Sequence, residues 1–359
     1  MEKITLIKPH CSDRSKTERL NDVLDYGLKG YRVEEIITGQ EFRNAQLQNK
    51  KIIFAISLGD SGINLEYYDL LKMIRLNRHK FDGSVAGIIM DGDSELFTKS
   101  VSRELVFSAN SAGCTFPGRP LVEGTATLYN FNVMAKILNT DNEGAYRESV
   151  RDLIERVAGF RRKKVQHPNI LMLHAGNSAT SNTLELWGMI REGLDADINE
   201  ISLRNGEVYD CRGCSYETCL HMGERSKCFY GGVITKEVYP AILKCDGLVM
   251  VCPNYNDAIS ANMAAFINRL TAIFRVHRFF EKRLFGVIVS GYSGSDIVAE
   301  QLISGLNMNK TFMLPSRFAI MKTANDPGSI KRAANIREEA AGFAKHMMDE
   351  FHACNELNE

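Results

Sequence analysis

Asp246-Gly-Leu-Val-Met-Val-Cys-Pro-Asn-Tyr-Asn-Asp-Ala-Ile-Ser-Ala-Asn-Met-Ala-Ala-Phe-Ile-Asn-Arg-Leu270 reads as strand, polar loop and helix. Leu248 to Cys252 is a short apolar run of the kind that forms a strand buried on both faces, and Pro253 stops it because proline has no ladder donor. Met263, Phe266, Ile267 and Leu270 then recur at helical spacing, with Ser260 or Asp257 available as the cap. Between the two lies Asn254-Tyr255-Asn256. A loop at the carboxyl end of a parallel strand is where open α/β sheets bind ligands. One aromatic ring between two carboxamides suits a flat heterocycle with polar edges; the plainer reading is a proline-marked turn with a half-buried tyrosine.

The same alternation extends in both directions. Strands are predicted at Ile4 to Ile7, Tyr31 to Ile37, Ile52 to Ile56 and Val85 to Met90, with a last short strand after Pro117-Gly-Arg119 and a closing helix from Glu143 to Phe160. After His167-Pro168-Asn169 the order begins again. Ile170 to Leu173, Asp197 to Leu203, Leu248 to Cys252 and Leu284 to Ser290 are strands, Pro315-Ser-Arg317 answers Pro117-Gly-Arg119, and Ile330 to Phe351 closes the copy. Strands alternating with helices mean an α/β fold with a parallel sheet. The repetition means two doubly wound five-stranded sheets in tandem, an internal duplication. The expected division is a first domain over 1–140, a helical linker over 141–168 and a second domain over 169–359, with a cysteine-containing insertion at about 204–240.

Composition narrows the function classes. With 44% hydrophobic and 25% charged residues the chain is ordinary globular protein, and 44 basic residues balance 44 acidic ones. No overall basic field attracts nucleic acid or acidic membrane. The one dense basic run, Arg161-Arg-Lys-Lys164, follows an amphipathic helix and reads as a solvated helix end. No apolar run approaches a membrane span and the first residues lack a signal peptide's apolar region, so a cytoplasmic protein is expected. Nine cysteines in such a chain call for ligation, redox chemistry or simple packing rather than a disulfide framework.

Three loops of the second copy converge at the carboxyl ends of its strands. The first, Gly176-Asn-Ser-Ala-Thr-Ser-Asn-Thr183, puts hydroxyls and small residues at a helix N-terminus, where an anion is favoured. It lacks the lysine that a nucleoside triphosphate requires, so one phosphate is the better fit; taken alone, it is equally an ordinary helix cap. The second is Pro253-Asn-Tyr-Asn256 and the third Gly291-Tyr-Ser-Gly-Ser295. Together with Ser260-Ala261 and Phe266-Ile-Asn-Arg269, this set resembles the flavodoxin-like NADPH-dependent FMN reductase family, including its iron–sulfur flavoprotein branch, over roughly Asn169 to Phe351. The resemblance implies two flavodoxin-like domains and FMN as cofactor, with NAD(P)H as donor. It implies that Ser178, Thr180, Ser181, Asn182 and Thr183 bind the phosphate. Pro253, Asn254, Tyr255 and Asn256 would line the ring, with Gly291, Tyr292, Ser293 and Gly294 opposite. The sequence departs from the family in its first loop, where Ala175-Gly-Asn-Ser-Ala179 replaces Gly-Ser-x-Arg.

In the first copy the matching loops are Pro9 to Thr17, Gly59-Asp-Ser-Gly62 and Asp91-Gly-Asp-Ser94. Asp60, Asp91 and Asp93 would repel a phosphate and no tyrosine occupies the second loop, so a structural role is expected there. The expected function is an FMN-dependent oxidoreductase passing hydride or electrons from NAD(P)H to a small-molecule or redox-protein acceptor, in a homo-oligomer. A general acid is not identifiable.

The insertion carries Cys211-Arg-Gly-Cys214, Cys219 and Cys228. Cys-x2-Cys is a common metal-ligand start, and four thiolates suffice for one 4Fe–4S cubane or one zinc; iron–sulfur flavoproteins, which this half resembles, carry such a run in the same insertion. Their intervals are shorter, however, and unmetallated packing stays open beside cluster and zinc, with His221 a substitute ligand. Cys11, Cys114, Cys245, Cys252 and Cys354 read as packing residues. His174 reads as a hydrogen-bonded strand end and Trp187 as core. An electron carrier without its own organic substrate, and a scaffold that binds no flavin, are the alternative functions.

Overall fold

A computed structural model describes residues 2–11, 17–59 and 61–353. Asp60, Cys354 and residues 12–16 of the first loop lie outside the described residues. The chain divides into two compact units, Met1–Phe160 and Arg161–Glu359.

The first unit holds β1 (Lys3–Ile7), β2 (Arg32–Ile36), β3 (Lys51–Ser57), β4 (Val85–Asp91) and β5 (Leu121–Gly124), all parallel, in the order β2-β1-β3-β4-β5. Its helices are α1 (Glu18–Gly27), α2 (Gly39–Asn44), α3 (Leu65–Leu76), α4 (Thr98–Ser111), α5 (Asn132–Leu138) and α6 (Asn142–Ala158). Ile52 to Ile56 are wholly buried, which is why β3 reads as an unbroken apolar run and needs helices over both faces. The helix α6, read from sequence as part of a linker, packs on α1 and on β3, β4 and β5 of this unit.

The second unit repeats the plan. Its strands β6 (Asn169–His174), β7 (Asp197–Ser202), β8 (Gly247–Pro253), β9 (Arg283–Ser290) and β10 (Ala319–Thr323) are parallel in the order β10-β9-β8-β6-β7. Counted within the unit this is 2-1-3-4-5 again, the flavodoxin-like order. Its helices are α7 (Asn182–Arg191), α8 (Tyr216–Gly223), α9 (Tyr239–Lys244), α10 (Ala261–Arg269), α11 (Thr271–Phe274), α12 (Ser295–Leu302) and α13 (Ile336–His352). Val249, Phe285 and Val287 of the sheet meet Leu186 and Trp187 of α7 and Phe343 of α13 in the core. Trp187 is buried there as expected, its Nε1 donating to Glu200 at 2.9 Å.

The duplication reaches the backbone conformation. Arg119 and Arg317, at the ends of the two Pro-x-Arg segments, both take positive φ, 53° and 47°. Four residues before each proline, Gly113 and Thr311 do the same. Each segment also pairs alike with its sheet: Thr115 N–H donates to Ser84 O, and Met313 N–H to Lys282 O.

Two expectations change. The basic run is only partly a solvated end: Arg161, Lys163 and Lys164 are exposed, but Arg162 pairs with the buried Glu350 at 3.0 Å and the Lys163 carbonyl accepts from Arg283. Ser260 holds the N-cap position of α10, yet its Oγ is buried and has no partner, so it does not cap.

Candidate functional site

The register of the parallel strands brings three loops of the second unit to one edge. His174 pairs with Val251 and Pro253 with Val289, so β6, β8 and β9 end side by side. In the first loop Thr180 and Ser181 N–H groups turn back onto the Asn177 carbonyl at 3.1 and 2.9 Å, and Ser181 caps α7 by accepting from Leu184 N–H at 3.2 Å. Ser178 and Thr180 stand exposed at this helix N-terminus, whereas Asn182 and Thr183 are buried. The Asn182 carboxamide is spent elsewhere. It donates to the carbonyls of Ala324 and Asp326 at 3.1 and 2.9 Å and accepts from Ile330 N–H, tying α7 to the segment after β10. Behind the loop His174 is half-buried, and burial holds its imidazole below the ordinary range.

The second loop is a tight turn. Tyr255 and Ala258 exchange backbone hydrogen bonds at 3.1 Å around Asn256 and Asp257, both at positive φ, a conformation that Asn and Asp tolerate. Asn254 fastens this turn to the third loop, its Nδ2 lying within 3.2 Å of Ser290 Oγ and 2.9 Å of the Ser293 carbonyl. Its Oδ1 is buried without a partner, so this side chain positions the loops rather than facing outward. Gly294 is required at the junction: at φ 84°, a Cβ there would come within 2.1 Å of Asp257 Oδ1. Gln301 of α12 holds the turn from behind, accepting from Ile259 N–H and donating to the Asp257 carbonyl. What remains presented are the rings of Tyr255, half exposed, and Tyr292, 80% exposed.

The first unit differs at the same points. Leu58 N–H donates to Asp91 O at 2.8 Å just as Asn254 N–H donates to Val289 O at 3.0 Å, so Leu58 stands where Asn254 does and Gly59 where Tyr255 does. Asp91 is not a free repelling charge. Arg19 grips both its oxygens at 2.8 and 3.0 Å, and Tyr146 donates to it at 3.0 Å. Burial nonetheless pushes the Asp91 carboxyl above the usual carboxylate range. The carboxyl end of β4 is filled by the protein's own ion pair.

In the insertion, Cys211, Cys214, Cys219 and Cys228 all line one cavity of about 200 Å³. All four are free. Among the described residues no three His, Cys, Asp or Glu side chains gather as a set for a single metal ion. The thiols therefore surround a space rather than converge on a point. His221, the substitute ligand considered from sequence, contacts Arg225 and is not part of the lining. Arg269, buried at the end of α10, closes the Phe266-Ile-Asn-Arg269 run but has no role legible in the sequence. Its Nη atoms donate to the carbonyls of Tyr209 and Gly231 at 3.2 and 2.7 Å, one on each side of the cysteine segment. Its role was hidden because it depends on insertion carbonyls remote in sequence.

Sheet order and loop placement make the second unit a flavodoxin-like α/β domain. More particularly, residues 168–326 match the model of the NADPH-dependent FMN reductase family. No curated protein matches the chain. Similar solved structures include an azoreductase from Bacillus anthracis str. Sterne, 13% identical over 51% of this chain and 100% of that one, with a TM-score of 0.37. The NAD(P)H:quinone oxidoreductase from Methanothermobacter marburgensis is 14% identical over 52% and 98% at 0.34. The Trp repressor binding protein from Bacillus subtilis is 20% identical over 48% and 95% at 0.32. No helix among the described residues is long and apolar enough to cross a membrane.

Proposed function

We propose that the second unit binds one FMN across the three loops and passes reducing equivalents from NAD(P)H to a small-molecule or redox-protein acceptor. The observation that carries this reading is the loop edge itself, where Asn254 locks two tyrosine-bearing turns beside a hydroxyl-lined helix N-terminus. Ser178 and Thr180 are the exposed hydroxyls for the phosphate, with Ser181 spent on its cap. Tyr255 and Tyr292 offer aromatic faces, and Asn256 a polar group, to the ring. FMN, when bound, supplies the hydride and single-electron chemistry, and the protein supplies orientation and hydrogen bonds at the ring edge.

A second reading is favoured by the four cysteines around one cavity: an iron–sulfur flavoprotein that relays electrons without an organic substrate. The donor set fits a cubane, in which each iron takes one thiolate and the ligands are spaced apart, better than a single zinc. Cys211, Cys214, Cys219 and Cys228 would hold it.

The visible spectrum of anaerobically purified protein, with iron and flavin analysis and an NAD(P)H oxidation assay, tests both. Flavin with NAD(P)H turnover is the expected result. Iron and flavin without steady-state turnover would move the protein to the relay class. Colourless protein that ignores added FMN would leave a scaffold.

A further inference from the structure

The cysteine cavity is unusual in its charge. Two guanidinium groups, Arg269 and Arg275, line it, and its lining contains no aspartate or glutamate. Arg269 is 1% exposed. The Nε of each arginine is buried with no hydrogen-bond partner, and neither forms an ion pair among the described residues. Arg275 instead lies over the Tyr216 ring, 4.4 Å from its centroid. Arg269 is a buried cation without a counter-charge, which is costly. Besides the Tyr230 hydroxyl, the groups of the lining that can become anionic beside these two are the four thiols.

We propose that Arg269 and Arg275 are the counter-charges for an anionic thiolate-ligated cluster at Cys211, Cys214, Cys219 and Cys228, and that they set its reduction potential. This rests on the cluster reading above. The two arginines have separable parts. Arg269 also clamps the carbonyls of Tyr209 and Gly231, and so holds both ends of the cysteine segment on α10. Arg275 makes no such backbone clamp. It therefore isolates the effect of charge. Reduction adds negative charge to the cluster, so a nearby cation favours the reduced form and removing it makes the potential more negative.

The test uses the full chain, reconstituted anaerobically with ferrous iron and sulfide, as wild type, Arg275→Gln, Arg269→Lys and Arg269→Gln. Iron, acid-labile sulfide and flavin are measured first, and then a dye-equilibrated redox titration follows the cluster's absorption. Wild type is expected to hold iron and sulfide in equal amounts. Arg275→Gln should keep that iron and shift the cluster to a more negative potential with flavin content unchanged. Arg269→Lys, which keeps the charge, should stay nearer the wild-type potential than Arg269→Gln; if Arg269→Gln loses its iron, Arg275→Gln and Arg269→Lys decide. A wild-type potential in iron-loaded Arg275→Gln would overturn the counter-charge role while leaving the cluster. Wild type without iron would overturn the cluster reading, and this inference with it.

Discussion

The sequence offers five residues of the first loop of the second unit as phosphate ligands, but the structure does not make them equivalent. Asn182 donates to the Ala324 and Asp326 carbonyls and to Ser329 Oγ, accepts from Ile330 N–H and is 7% exposed, while Ser178 and Thr180 are exposed and carry no such duty. Asn182→Ala should therefore lower stability by about 1–3 kcal/mol, the cost of orphaning buried partners, and affect FMN chiefly through the fold. The double change Ser178→Ala with Thr180→Ala should leave the unfolding midpoint of the flavin-free protein unchanged and weaken FMN by about 1–3 kcal/mol per lost hydrogen bond to the phosphate. Flavin fluorescence titration beside thermal unfolding separates the two patterns, and the reverse assignment would show Asn182 to be the ligand. The residue types of this loop were legible in the sequence because hydroxyls at a helix start have a local meaning. Which of them is already spent was not, because the partners of Asn182 lie beyond β10. The same distance hid the pairing of Arg162 with Glu350.

At the scale of elements, the two Pro-x-Arg segments show how one backbone can be kept by different chemistry. Gly113 takes positive φ at no steric cost, whereas Thr311 at φ 67° is a β-branched residue in a region it avoids. The threonine is kept by its hydroxyl, which accepts from the buried Phe279 N–H at 2.8 Å; in the first unit Phe81 N–H finds the Ala112 carbonyl instead. Relief of strain in Thr311→Gly is worth about 1–2 kcal/mol. Against it stand about 1–3 kcal/mol for the orphaned N–H and about 0.5–1 kcal/mol for glycine's added chain entropy. The net expectation is a loss of about 1 kcal/mol, read as a lower urea midpoint at unchanged slope; a gain in stability would mean that the hydroxyl contributes little. Strands such as β8 and β9 were legible from their apolar runs, and the repeat from their order. The left-handed residues that bound them were not, since neither threonine nor arginine signals positive φ.

For the whole molecule, the duplication leaves two sheets of the same order with different endings. In the second unit the edge presents Tyr255, Tyr292 and free hydroxyls; in the first, Leu58 and Gly59 replace Asn254 and Tyr255, and the Arg19–Asp91–Tyr146 group fills the end of β4. A ligand entering there would have to displace a buried ion pair, a change that typically costs about 3–5 kcal/mol when one partner is left alone. Calorimetric titration of the full chain with FMN should therefore show one site. Asn254→Ala should weaken that site by unfastening the second loop from the third, whereas Leu58→Asn in the first unit should create no second one, because the ion pair still occupies the space. Two equivalent sites in the unaltered protein, or residual wild-type binding in the Asn254 variant, would mean that the flavin sits elsewhere than on the loop edge of the second sheet.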